Sequence, residues 1–140
     1  MAIDLSDAMR NAGADSMLAL LNVGGASTLK IFEGAKPASC DAADPVTVLS
    51  IHTMSVPAFK AANTGGEPVG QALANAIGDD TAANNSGTPG CFRVYNNAGA
   101  CRFQGTAGVA SGDISFATGI IQGLPVSITS LRFLVVSTGP

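Results

Sequence analysis

Two periodicities divide the chain. Through residues 4–23, Met9, Ala12, Met17, Leu20 and Leu21 form an imperfect apolar stripe at helical spacing. Asp4 or Ser6 can cap this segment, Asp7 sits favourably in its first turn, and Gly24-Gly25 end it. Gly13 weakens the middle by about 1 kcal/mol relative to alanine and marks the point where the helix would break. A methionine-bearing stripe of this kind is expected to pack into the core.

After Gly25 the period shifts towards two. Thr28-Leu29-Lys30-Ile31-Phe32 reads as a strand with Leu29 and Ile31 inward, and residues 47–53 as a second, with Leu49 and Ile51 sharing a face. The proline-bounded stretch 36–45 between them is a loop. Residues 56–60 could form a short edge strand, because Pro57 cannot donate to a ladder. Asn63 to Pro68 is a turn cluster that includes Gly65. Residues 69–77 are assigned to a strand: Gln71 to Ala76 has helical propensity, but Gly70 and Gly78 argue against a stable helix. The polar stretch 78–90 is expected to be an exposed loop.

The segment from Cys91 to Phe103 reads as a β-hairpin, two β-prone runs around Asn96-Asn97-Ala98-Gly99. With Gly99 as a bulge residue, Tyr95 faces Cys101. Asp113-Ile114-Ser115-Phe116-Ala117 follows as a strand with Ile114 and Phe116 inward. After the Gly123-Leu124-Pro125 turn comes a final strand, 126–136. Its apolar phase runs through Val126 and Ile128, then switches to Leu131, Phe133 and Val135, as a bulge or a bend between sheets would require. The pattern predicts one domain over residues 1–140, mainly β: an N-terminal helix at 4–23 and an antiparallel β-sandwich of about seven short strands at 28–136.

Composition narrows the function classes. Charged residues make up 12% of the 140 and the net charge is −3, with Arg10, Lys30, Lys36, Lys60, Arg93, Arg102 and Arg132 scattered. Nucleic acid is not expected as a partner, because phosphate backbones require clustered cations. No apolar run approaches the ~20 residues of a membrane span, and Met1 to Asp7 lacks the basic start of a secretory signal. A soluble protein made in a cytoplasm is expected.

Candidate chemistry is sparse. His52 is the only histidine, so any Ser-His-Asp relay or His-based metal site would have to be anchored there. It falls on the face opposite Leu49 and Ile51, where a surface or interface imidazole is expected. The acid pairs Asp79-Asp80 and Asp41 with Asp44 lack the spacing of a calcium loop and read as solvated loop residues. Phosphate-binding glycine motifs and C-x-x-C are missing, and the sequon Asn84-Asn85-Ser86 means little without a secretory route. No catalytic, metal-binding or cofactor residue is assigned. Cys40, Cys91 and Cys101 are odd in number, and a Cys91–Cys101 bond would span about four residues of strand, too far to close. Free, partly buried thiols are the first reading, and a bond between subunits is the second.

Several pieces together resemble a family of small virion proteins of tailed bacteriophages. They are Ala8-Met9-Arg10-Asn11-Ala12, Leu29 through Ser39, Ala74-Asn75-Ala76-Ile77, Ser86 through Val94, Asn97-Ala98-Gly99, Gly105, and Asp113 through Ser130. The resemblance covers most of the chain and lies in their order and spacing. The chain departs from the family pattern at Cys91, usually a large aromatic, and at Cys101, usually small or β-branched.

The resemblance implies a non-enzymatic structural part of a virion, assembled in the host cytoplasm. A capsid-decorating (cement) protein is preferred to a neck or tail component. Its partners would be the major capsid protein or other virion proteins, and it would often be a homo-oligomer. Contacts would run through exposed strand edges, the loop from Asp79 to Gly90 and the N-terminal helix, with Arg93, Arg102 and Arg132 as candidates for intersubunit ion pairs. A receptor- or carbohydrate-binding β-sandwich is the alternative, weakened by a single Tyr and no Trp. A small enzyme would depend on His52.

Overall fold

In the computed structural model, residues 3–64 and 66–134 are described. Met1, Ala2, Gly65 and the end of the expected last strand, including Val135 and Val136, lie outside them. One helix, α1 (Asp7–Ala19), precedes seven strands: β1 (Thr28–Glu33), β2 (Val48–Thr53), β3 (Gln71–Leu73), β4 (Pro89–Tyr95), β5 (Cys101–Val109), β6 (Ile114–Phe116) and β7 (Arg132–Leu134). The fold is mainly β. Among the described residues, no helix is long and apolar enough to cross a membrane.

Five strands form one curled sheet in the order β2-β1-β4-β5-β6, and β3 pairs with β7 in a second. The larger sheet is mixed rather than purely antiparallel, because β6 runs parallel to β5. The two strands are joined by residues 110–113, in which Ala110 and Gly112 both take positive φ and Gly112 bridges back to Ala107.

The β4–β5 hairpin forms as its sequence predicts. Asn96 closes the turn by accepting from Gly99 N and donating to Ala100 O, Gly99 has φ 84°, and a register shift lies between Val94 and Tyr95. Tyr95 pairs with Cys101.

One sheet face builds the main core. Leu29, Ile31, Leu49, Phe92 and Val94 pack with Leu18, Leu21, Phe59, Ala72, Ile114, Val126, Ile128 and Leu131. Phe103 on β5 meets Phe133 on β7 edge-on at 5.3 Å between centroids, which joins the two sheets. The phase switch in the last segment is present as burial: Val126, Ile128 and Leu131 are buried and Phe133 partly so. Among the described residues, regular pairing there is confined to β7, and Val126 only bridges to Asp80.

Two expectations about faces and one about a strand are corrected. A bulge in the β1–β2 ladder pairs Ile31 with Ser50 and Phe32 with Val48, leaving Leu49 as the extra residue. Leu49 and Ser50 are therefore both buried, His52 follows them inward, and Ile51 points outward. Residues 56–60 do not form a strand, and Phe59 makes only a single bridge to Ala74.

Helix α1 is shorter than expected and continues through Gly13. Ser6 caps it, its Oγ accepting from Met9 N at 3.2 Å. Ala14 and Leu18 are its buried residues. Polar side chains complete the docking: Asn11 accepts from Gly70 N at 2.8 Å, Asp15 from Ala62 N at 2.7 Å, and Asn22, just beyond the helix, from Ala58 N at 2.9 Å. With the other side so anchored, the Met9-Met17-Leu20 stripe faces solvent.

Candidate interaction surface

The second face of the large sheet is covered by the chain itself. β1 and β2 are joined by residues 34–47, a long connection for an antiparallel pair. This strap lies over Phe32, Cys91, Arg93 and Tyr95, all buried, and over β5. Arg93 is 1% exposed. Its guanidinium donates to Ser39 O at 2.7 Å, Ala42 O at 3.0 Å and the Asp44 carboxylate, and its Nε donates to Gln104 Oε1 at 3.0 Å. Gln104 Nε2 donates to Pro37 O at 2.7 Å, and the Tyr95 hydroxyl donates to Asp44. The Lys30 ammonium lies over the Tyr95 ring, 4.9 Å from its centroid.

Electrostatics at this cluster follow from burial and pairing. Partial burial would raise the Asp44 carboxyl, but the bonds from Tyr95 and Arg93 and the Arg93 charge hold it below the usual carboxylate range. Burial and the Asp44 carboxylate push the Tyr95 phenol well above its ordinary value. Burial works against the Arg93 charge, yet Asp44 and Tyr95 together keep it firmly protonated.

The cysteines require a correction. Cys40 in the strap and Cys101 at the start of β5 are disulfide-bonded, with Cα atoms 5.4 Å apart. Neither is a free thiol, and the bond lies within one chain. Cys91 is free and buried, and burial raises its thiol above the ordinary range. The register reasoning did hold for Cys91, which pairs with Thr106 rather than Cys101.

His52 is also corrected, from a surface or interface imidazole to a core one, 0% exposed. Its Nδ1 is 2.9 Å from Gly78 O and its Nε2 is 3.0 Å from Ser50 Oγ. A neutral ring donating to the carbonyl and accepting from the hydroxyl satisfies both contacts. Burial lowers its pKa, against smaller opposing effects of the Gly78 carbonyl, Asp80 and Asp79. A ring enclosed in this way is a structural cross-link between β2 and residue 78.

Several of the remaining candidates have structural partners. Arg93 and Arg132 are engaged within the chain, Arg132 Nε reaching the Glu67 carboxylate at 2.9 Å, while Arg102 is exposed. Asp80 accepts from Ile51 N at 2.9 Å and Ala82 N at 3.0 Å. Gly78 N donates to Thr53 O and Asn84 N to Leu49 O, each at 2.8 Å, and Asn85 Nδ2 donates to Val48 O at 2.8 Å. The polar stretch 78–85 thereby covers the outer edge of β2. Among the described residues, no three His, Cys, Asp or Glu side chains converge on a metal-sized site.

Among the described residues, several large apolar side chains face outward, Val46, Val56, Ile121 and Leu124 among them, and the α1 stripe gathers three of them on one helix. Met9 is 61% exposed, Met17 52% and Leu20 48%, and Ile3 and Val23 extend the apolar surface at either end. A sequence reading finds this stripe readily and rightly puts Leu21 in the core. Met9, Ala12, Met17 and Leu20 nevertheless face out, because the rest of the inward side is Ala14, Leu18 and polar side chains bonded to neighbouring loops. A cleft of about 410 Å³ opens separately beside Phe92, Phe103 and Phe133, with Asp113 and Arg132 also lining it.

No protein-family model matches the chain, and no curated protein and no solved structure is significantly similar to it.

Proposed function

We propose that the chain is a non-enzymatic structural protein of a tailed-phage virion, a decoration or cement subunit that binds the outer capsid lattice. The sequence resemblance supplies the virion class. The solvent-facing Met9-Met17-Leu20 stripe carries the reading further, since large apolar side chains gathered on one exposed helix face suit an interface. Behind that helix stands a two-sheet, sandwich-type body braced by buried polar bonds and a disulfide. Such a body changes little on docking, so few degrees of freedom are lost when it binds. Symmetry then multiplies one modest contact over the particle. The partner is the major capsid protein or another virion protein, with copies of this chain as neighbours on the lattice.

The test is co-sedimentation with purified capsids. Met9→Ser combined with Met17→Ser and Leu20→Ser should leave folding unchanged and abolish binding. Unaltered binding by that variant would remove the helix from the interface.

A further inference from the structure

The strap over the second sheet face is held in an unusual way. None of residues 34–47 is fully buried, so the strap has no apolar anchor of its own. Apart from the backbone bond from Glu33 N to Thr47 O at its end, its noncovalent ties to the sheet run from side chains to its carbonyls and to Asp44: Arg93 to Ser39, Ala42 and Asp44, Gln104 to Pro37, Tyr95 to Asp44. Water can replace each of these bonds when the strap lifts. The remaining tie is covalent, Cys40 to Cys101, and both residues are part-exposed. Beneath the strap Cys91 is buried, its Sγ 3.8 Å from Ala35 O.

We propose that the Cys40–Cys101 disulfide is a redox latch: when it is reduced, the 34–47 strap lifts from the sheet and uncovers Cys91, Arg93 and Tyr95. The inference is independent of the virion reading. In the opening reaction two thiols of a small dithiol attack in turn. The S–S bond gains two electrons and two protons to give Cys40 and Cys101 thiols, and the dithiol leaves as its cyclic disulfide. Closure is the reverse, with a low-molecular-weight disulfide as oxidant. Both ends of the strap are set in adjacent strands of one hairpin, so the sheet itself remains paired when the strap opens.

Cys91 is the reporter. Maleimide labelling of the full chain, with the labelled residue identified by peptide mass spectrometry, should be slow in the oxidised protein. It should be at least tenfold faster in the Cys40→Ser, Cys101→Ser double variant. Hydrogen exchange on the same samples should show rapid exchange at 34–47 and retained protection in β1 and β4. Equal labelling in both proteins would overturn the latch. Loss of protection throughout β1 and β4 would equally overturn it, by making the bond a global staple. Should the double variant not fold, the oxidised wild type is treated briefly with dithiothreitol under native conditions and Cys91 labelling is followed directly. Faster labelling with the sheet still protected supports the latch, and unchanged labelling overturns it.

Discussion

His52, Arg93 and Asp44 are polar groups committed to bonds inside the fold, and each commitment has a measurable consequence. The His52 pKa lies below its ordinary 6.5 in the folded chain because burial penalises the charged ring. Below about pH 6.5 the unfolded state therefore binds a proton that the folded state refuses, and stability falls as pH falls towards the folded pKa. Above 6.5 both states are neutral and the residue contributes no slope. Thermal midpoints should decline between pH 7 and pH 5 in the wild type, and the slope should flatten in His52→Gln. Asp44, lowered from 3.8, acts in a separate window: its contribution is present above that value and is lost as pH falls through its folded pKa. Arg93→Met keeps the stem but removes four hydrogen bonds and strands the Gln104, Ser39 and Ala42 oxygens. Urea unfolding should show a loss of about 3 kcal/mol, less than a deeply buried pair would cost because Asp44 is partly solvated. These roles were not legible in the sequence. Arg93 reads as one residue of a β-prone run, and its partner Asp44 lies 49 positions away in a loop.

At the scale of elements, much more was legible. The period-two runs at Thr28 and Thr47 and the Asn-Ala-Gly turn located β1, β2 and the β4–β5 hairpin, because turn residues and alternation are local properties. Faces were harder. A single extra residue at Leu49 reverses the side on which Ile51 and His52 fall, and bulges leave no clear local signal. Helix α1 misleads for a different reason. Its inward side uses Ala14, Leu18 and the amides and carboxylate of Asn11, Asp15 and Asn22, while its most apolar side faces out. The Met9, Met17 and Leu20 serine variant is accordingly expected to stay within about 0.5 kcal/mol of wild-type stability, as surface substitutions do, and chemical denaturation checks this. Gly90 tests the other extreme. A methyl group there would overlap the Gly34 carbonyl, where the strap leaves β1. Gly90→Ala should cost about 2–3 kcal/mol by forcing the two backbones apart, as read by the same denaturation assay.

The whole molecule combines a closed interior with an apolar exterior on one helix. Stretch 78–85 blocks the β2 edge, the strap covers one sheet face, and β3 with β7 packs on the other. Blocking an edge in this way limits strand-to-strand aggregation, a hazard for any protein held at high local concentration. Few charges and scattered cations leave electrostatic steering weak, so association would rest on apolar burial at α1. These properties suit a subunit that adds to a lattice. The most direct measurement of the proposed role is quantitative mass spectrometry of tailed-phage particles purified from cells that carry the gene. The chain should be present at a copy number comparable with that of the shell subunit. Absence from the particles, or the low copy number of a neck or tail-tip component, would contradict the decoration reading.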